Sequence, residues 1–279
     1  MTRRVPRGRR HVVRALVGVL LLAGVGACGP GGAGDAGGPA GQGESTQVRV
    51  AAASSLKFAM DALVSTFERR HGDVEVEVSY GSSGAFFAQL RNHAPYDMFF
   101  SADTTYPRRL ADEGLTRGGA FGYATGRLVL WAPKSAGLDV AGRGADVLTE
   151  RAVRRVAVAN PRLAPYGSAA IAALKHFGAY AAVRPHLVYG EDVAQTAEFA
   201  RTGAADVGLL ARSITDAPTL RADGDGWLVP RQAHPPIRHA AVTTKWSRAP
   251  GAAQRFRAFV LGEQGQAVLA RNGFDRPAG

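Results

Sequence analysis

Four short stretches combine residue types suited to holding an anion: Ala53-Ser54-Ser55-Leu56, Gly81-Ser82-Ser83-Gly84, Ala164-Pro165-Tyr166-Gly167-Ser168 and Gly190-Glu191-Asp192-Val193. Each follows a strand-like run and precedes a helix-like one, so each opens a helix. The first N–H groups of a helix lack intrahelical partners and sit at the positive end of its dipole. A helix start is therefore a ready anion site. Serine adds a hydroxyl donor, and glycine lets backbone approach a ligand closely. Four such turns meeting in one cleft would replace the hydration shell of a dianion with neutral donors. Taken singly, each turn is more often an ordinary helix cap than a ligand site.

Other chemistry is less well supported by the residues. His234 and His239 lie around Pro235-Pro236 with no third ligand nearby, and they read as two loop histidines rather than a metal site. Asp97 and Asp103 flank a short apolar run and suit capping or hinge roles. The sequence has no HExxH, no Walker A lysine motif and no GxSxG elbow. Binding is thus favoured over catalysis, and no cofactor is implied.

The elements that must position these turns follow from periodicity. Apolar strand-like runs fall at 48–53, 98–100, 128–132, 156–159, 186–189, 206–210 and 237–243, and residues 74–80 alternate with period two. Met60, Leu63, Val64 and Phe67 share one helical face, as do Val193, Thr196, Ala197 and Ala200. Further helices are predicted near 84–90, 106–113, 168–177, 252–261 and 264–272. Alternating β and α elements predict an α/β architecture with largely parallel sheets, whose ligands bind at the carboxyl ends of strands.

The N-terminus reads as an export signal. Arginines end at Arg14, a short apolar run follows, and Val25-Gly26-Ala27-Cys28 closes it. Cys28 is the single cysteine, so no disulfide forms within the chain. Residues 1–28 resemble a lipoprotein signal that leaves Cys28 lipidated. Residues 29–46 are Gly-rich, without large apolar side chains, and read as a flexible tether to a membrane. The formal charge of +11 includes six arginines before Cys28; beyond them the balance is 28 basic to 23 acidic residues. That modest excess argues against a nucleic-acid partner.

The motifs also resemble those of the molybdate-binding proteins of ABC importers. The resemblance rests on VAAASSLKFAM at 50–60, YGSSG at 80–84, APYD at 94–97 and FSAD at 100–103. It continues with VAVANP at 156–161, APYG at 164–167, EDV at 191–193 and NGF at 272–274. It implies the two-lobed periplasmic-binding-protein fold of type II, with the ligand in the interlobe cleft. Lobe one would comprise 47–126 plus 238–279, and lobe two 127–237. It implicates Ser54, Ser55, Ser83, Tyr166 and the backbone N–H of Val193 as ligands of molybdate or tungstate. An ABC importer permease would be the partner. Some members place a ligand tyrosine where this chain has Ala211; here Tyr166 would take that role. Flanked by Pro165 and Gly167, Tyr166 falls at a helix start rather than in mid-helix packing. Sulfate or phosphate remains an alternative ligand, and an enzyme on a similar scaffold an alternative class.

Overall fold

The computed structural model describes residues 45–277. The signal segment, Cys28 and the tether as far as residue 44 lie outside the described residues. Ten strands run β1 (Thr46–Ala53), β2 (Val74–Gly81), β3 (Met98–Ser101), β4 (Phe121–Gly126), β5 (Leu128–Pro133), β6 (Val156–Ala159), β7 (Leu187–Gly190), β8 (Val207–Ala211), β9 (Gly224–Leu228) and β10 (Ile237–Thr243). The first four helices are α1 (Lys57–Glu68), α2 (Ser83–Arg91), α3 (Thr105–Asp112) and α4 (Val140–Arg143). They are followed by α5 (Pro165–His176), α6 (Tyr180–Val183), α7 (Val193–Arg201), α8 (Arg212–Thr215) and α9 (Pro218–Asp223). The series closes with α10 (Pro250–Leu261) and α11 (Glu263–Arg271).

The strands form two sheets, ordered β2-β1-β3-β10-β4 and β7-β6-β8-β5-β9. Each sheet with its helices makes one lobe of an α/β, two-lobed fold. The chain passes from the first sheet to the second at Arg127, between β4 and β5, and returns through residues 229–236. β1 opens at Thr46, one residue inside the stretch assigned to the tether.

The sheets are mixed rather than largely parallel. β1 runs parallel to β2 and β3, and β6 parallel to β7 and β8. β10 is antiparallel to β3 and β4, and β5 antiparallel to β8 and β9. The reversed strands, β10 and β5, each follow a crossing, where the chain changes sheets without an intervening α-helix.

Burial explains the elements. β5 and β8 are buried at every position, as continuous apolar runs covered on both faces require. β2 sits at an edge and keeps Glu75 and Glu77 exposed, which discourages further strand pairing. α1 buries Met60, Leu63 and Phe67, with Val64 partly covered, and α7 buries Val193, Thr196, Ala197 and Ala200. Two strands escape the sequence pattern. β4 contains two glycines and a threonine, and β9 reads Gly-Asp-Gly-Trp-Leu, a turn composition. β9 forms because β5 offers it a partner. The Trp131 ring and the Ala132 carbonyl occupy the space a side chain at Gly224 would need.

Candidate functional site

The four turns meet in one small cavity of about 10 Å³, room for about one water molecule. Ser54, Ser55, Ser83, Tyr166 and Val193 all line it, joined by Ser82, Ala102, Pro165 and Asp192. Larger hollows exist elsewhere, such as the one beside Arg49 and Trp246. Chemistry rather than size singles out this one, because four helix starts point into it.

Each turn is built by local rules. After β1 the chain enters a single 3-10 turn, Ser54–Leu56, before α1 begins. After β2 the two serines divide their work. Ser82 is the N-cap of α2, its oxygen accepting from Ala85 N–H at 3.4 Å. Ser83, fully buried, accepts from Ala102 N–H at 3.0 Å, and its own O–H stays available to donate. After β6, Pro165 fills the first position of α5, where its missing N–H costs nothing. Gly167 lets this helix start rest on the end of β6, since a methyl group there would overlap the Ala159 carbonyl. After β7, Asp192 caps α7 by accepting from Ala194 and Gln195 N–H at 2.8 and 3.0 Å. That leaves the preceding N–H, that of Val193, for another acceptor.

Two buried hydroxyls in the cavity, Ser55 Oγ and Tyr166 OH, lie close enough to influence each other, yet neither makes a hydrogen bond within 3.5 Å to any described residue. A buried donor left unpaired costs about 1–3 kcal/mol. Two such donors lining one hollow point to an acceptor that fills it. Tyr166 lies in the first turn of α5 as its neighbours imply, yet only 2% of it is exposed. Burial pushes its phenol above the usual value; the neighbouring Ser55 hydroxyl offsets part of that, and the Asp275 carboxylate adds to it. The phenol therefore keeps its proton and remains a donor. No Lys, Arg or His lines the cavity among the described residues, and its one charged group, the Asp192 carboxylate, is occupied by N–H groups of α7. The site consists of neutral donors and helix dipoles.

Behind the cavity lies a residue read differently from sequence. His239 is not a loop histidine; it sits in β10 and is 1% exposed. Tyr123 donates its single O–H to the Ser101 carbonyl at 2.9 Å and contacts His239 Nδ1 at 3.1 Å. A carbonyl only accepts, so Nδ1 must donate to the phenol oxygen, which leaves Nε2 as a bare acceptor. Nε2 has no partner and faces Gly126, where the Tyr166 hydroxyl also arrives. Burial holds the imidazole neutral, with its pKa lowered to about 3. The burial depends on the Tyr123, Tyr166 and Phe274 rings packed around the imidazole, which the sequence does not place beside it.

The remaining candidates fall into structural roles. Asp97 accepts from Arg49, Arg248 and Ala249 N–H and from Ser247 Oγ, tying β1 to the start of α10. Asp103 accepts from Tyr106 N–H at the start of α3. Ala211, buried at the end of β8, is not among the residues lining the cavity. Ala102 is a lining residue that sequence reasoning missed; its signal was the FSAD stretch, but an alanine carries no chemistry of its own.

Comparison with known proteins places this geometry. The family described as bacterial extracellular solute-binding protein matches residues 48–275. The molybdate-binding protein ModA of Azotobacter vinelandii is 35% identical over 232 residues, 83% of this chain and 90% of that one. ModA of Rhodobacter capsulatus is 35% identical over 200 residues, 71% of this chain and 77% of that one. The solved structure of the Azotobacter vinelandii periplasmic molybdate-binding protein superposes with a TM-score of 0.77 at 31% identity, covering 83% of this chain and all of that one. With two lobes closing on a cavity of neutral donors, and with these relatives over most of its length, the chain belongs to the bacterial extracellular solute-binding protein family.

Proposed function

We propose that this protein captures a tetrahedral oxyanion, molybdate or tungstate, outside the cytoplasm and delivers it to the permease of an ABC importer. The observation that carries the reading is the pair of unpartnered buried hydroxyls, Ser55 and Tyr166, in a cavity ringed by four helix starts. The named relatives, molybdate-binding proteins, supply the choice of anion. Ser54, Ser55, Ser83 and Tyr166 would donate hydroxyls, and Val193 its backbone N–H. Lobe one (47–126 plus 238–279) and lobe two (127–237) would close on the anion and exclude water. Binding without chemical transformation is all the role requires. A phosphate site would need a free acceptor for the ligand's proton, and the only carboxylate at this cavity is engaged as a cap. Calorimetry of the purified chain with molybdate, tungstate, sulfate and phosphate tests the reading; tight binding of sulfate or phosphate alone would sink it.

The tyrosine offers a sharper test. Tyr166→Phe keeps the ring and removes the O–H. Its affinity for molybdate should fall by about 1.5–3 kcal/mol, roughly ten- to hundredfold. Ser83→Ala should weaken binding alike; because it also strands the buried Ala102 N–H, the ligand-free melting temperature should fall by a few degrees, roughly 2–12 °C, without loss of the fold. Unchanged affinity in Tyr166→Phe would leave lobe two binding through backbone alone.

Location rests on Cys28. In this reading a lipid on Cys28, followed by the Gly-rich segment, holds the protein to the outer face of the cell membrane; without the lipid it would be periplasmic. Cys28→Ser should release the protein from the membrane fraction or leave its signal uncleaved. Normal processing with full membrane retention would remove the anchor from the account.

A further inference from the structure

Two hydrogen bonds join the lobes beside the cavity. On one side Ser213 Oγ, just after β8 in the second lobe, donates to the Ser55 carbonyl of the first lobe at 2.7 Å. Both residues are buried, at 3% and 1% exposure. On the other side Gly84 N–H, at the start of α2, donates to the Leu163 carbonyl of lobe two at 2.8 Å. A Cβ on Gly84 would lie 2.9 Å from both the Leu163 Cα and its carbonyl oxygen.

The seat of Ser213 is also specific. Gly273, with φ of 81°, packs against the Ser213 backbone, where a Cβ would come within 3.0 Å of its nitrogen. The next residue, Phe274, packs its ring on His239 at 5.2 Å between centroids. The NGF stretch at 272–274 thus has a structural use that anion binding did not require: it receives α8 on lobe one.

We propose that Ser213 is a closure latch, a positioning residue that acts through Ser55 and sets how fast the oxyanion leaves. Ser213 does not line the cavity; it holds the turn whose side chain does. When the lobes part, its hydroxyl and the Ser55 carbonyl both gain water, so the bond stabilises the closed form and not the open one. The encounter between anion and open lobes precedes that bond. Its loss should therefore appear in release and not in capture. The latch rests on the oxyanion-binding reading above.

The test is stopped-flow kinetics of the purified chain with molybdate, beside melting of the ligand-free and loaded protein. Ser213→Ala should release molybdate about tenfold faster, with an on-rate within about twofold of wild type. The ligand-free melting temperature should hold while the rise on adding molybdate shrinks. Gly84→Ala, a methyl wedge on the opposite rim, should speed release at least as much. It decides the question if Ser213→Ala does not fold. Release at the wild-type rate from either variant would overturn the latch while leaving molybdate binding intact. So would an equal loss of melting temperature in both ligand states of Ser213→Ala. Failure of the wild type to bind any of molybdate, tungstate, sulfate or phosphate would overturn the functional reading and the latch with it.

Discussion

Gly167→Ala should destabilise the protein by about 3 kcal/mol, at the upper end of overpacking costs. The added methyl would overlap the Ala159 carbonyl and come within 2.9 Å of Pro161 N. These are backbone atoms of β6 and its following loop, so no side-chain rotation relieves the clash. Either α5 lifts from the sheet or the turn distorts, and both displace Tyr166 from the cavity. Urea denaturation measures the loss, and the melting temperature should fall by roughly 6–12 °C for a chain of this size. Gly72→Ala is the control: nothing lies within 4 Å of a Cβ there, and its stability should stay within about 0.5 kcal/mol of wild type. A cost below about 1 kcal/mol for Gly167→Ala would mean that the start of α5 is not fixed on β6.

The second large effect is a pH dependence. His239 is neutral in the folded protein with a pKa of about 3, whereas in the unfolded chain it protonates near 6.5. Below about pH 6.5 the unfolded state therefore holds one proton more. The stability from burying neutral His239 is complete above that pH and is lost as pH falls toward 3. The slope approaches about 1.4 kcal/mol per pH unit, so about 3 kcal/mol should disappear between pH 6.5 and 4. His234, also lowered by burial, works in the same direction. Asp103, raised by burial, opposes it, since acid favours its neutral folded form. His239→Gln should flatten the slope whatever it does to stability at pH 7. An unaltered slope, from denaturant unfolding between pH 4 and 7, would exclude His239 as its source.

The turns of the candidate site were legible in the sequence because they are local, whereas the choice of donors within them came from the family resemblance. Small polar residues directly after apolar runs mark helix starts, and Ser54, Ser55, Ser83, Tyr166 and Val193 all stand in such turns. Their convergence is a tertiary fact that the alternation of strands and helices only suggests. The division between Ser82 as cap and Ser83 as donor is invisible in sequence, because it depends on where Ala102 lies. Ser213 gave no signal for a similar reason: its partner is 158 residues away. His239 was misread as a loop histidine although it falls within the predicted strand 237–243; its burial depends on Tyr123, 116 residues away, which the sequence does not place beside it. β9 was missed because its glycines serve the Trp131 packing rather than a turn.

The two crossings between sheets also impose an order on synthesis. All five strands of the second sheet come from one unbroken stretch, and its ends meet where Val229 N–H bonds the Leu128 carbonyl at 2.9 Å. The first sheet, by contrast, places β10 between β3 and β4. A chain emerging from a ribosome or a translocation pore thus presents every strand of the second sheet before the first can close. Until Ile237–Thr243 arrives, β3 and β4 lack the strand that joins them, and their facing edges stay open to wrong partners. The lobe that begins the chain is the last to be finished.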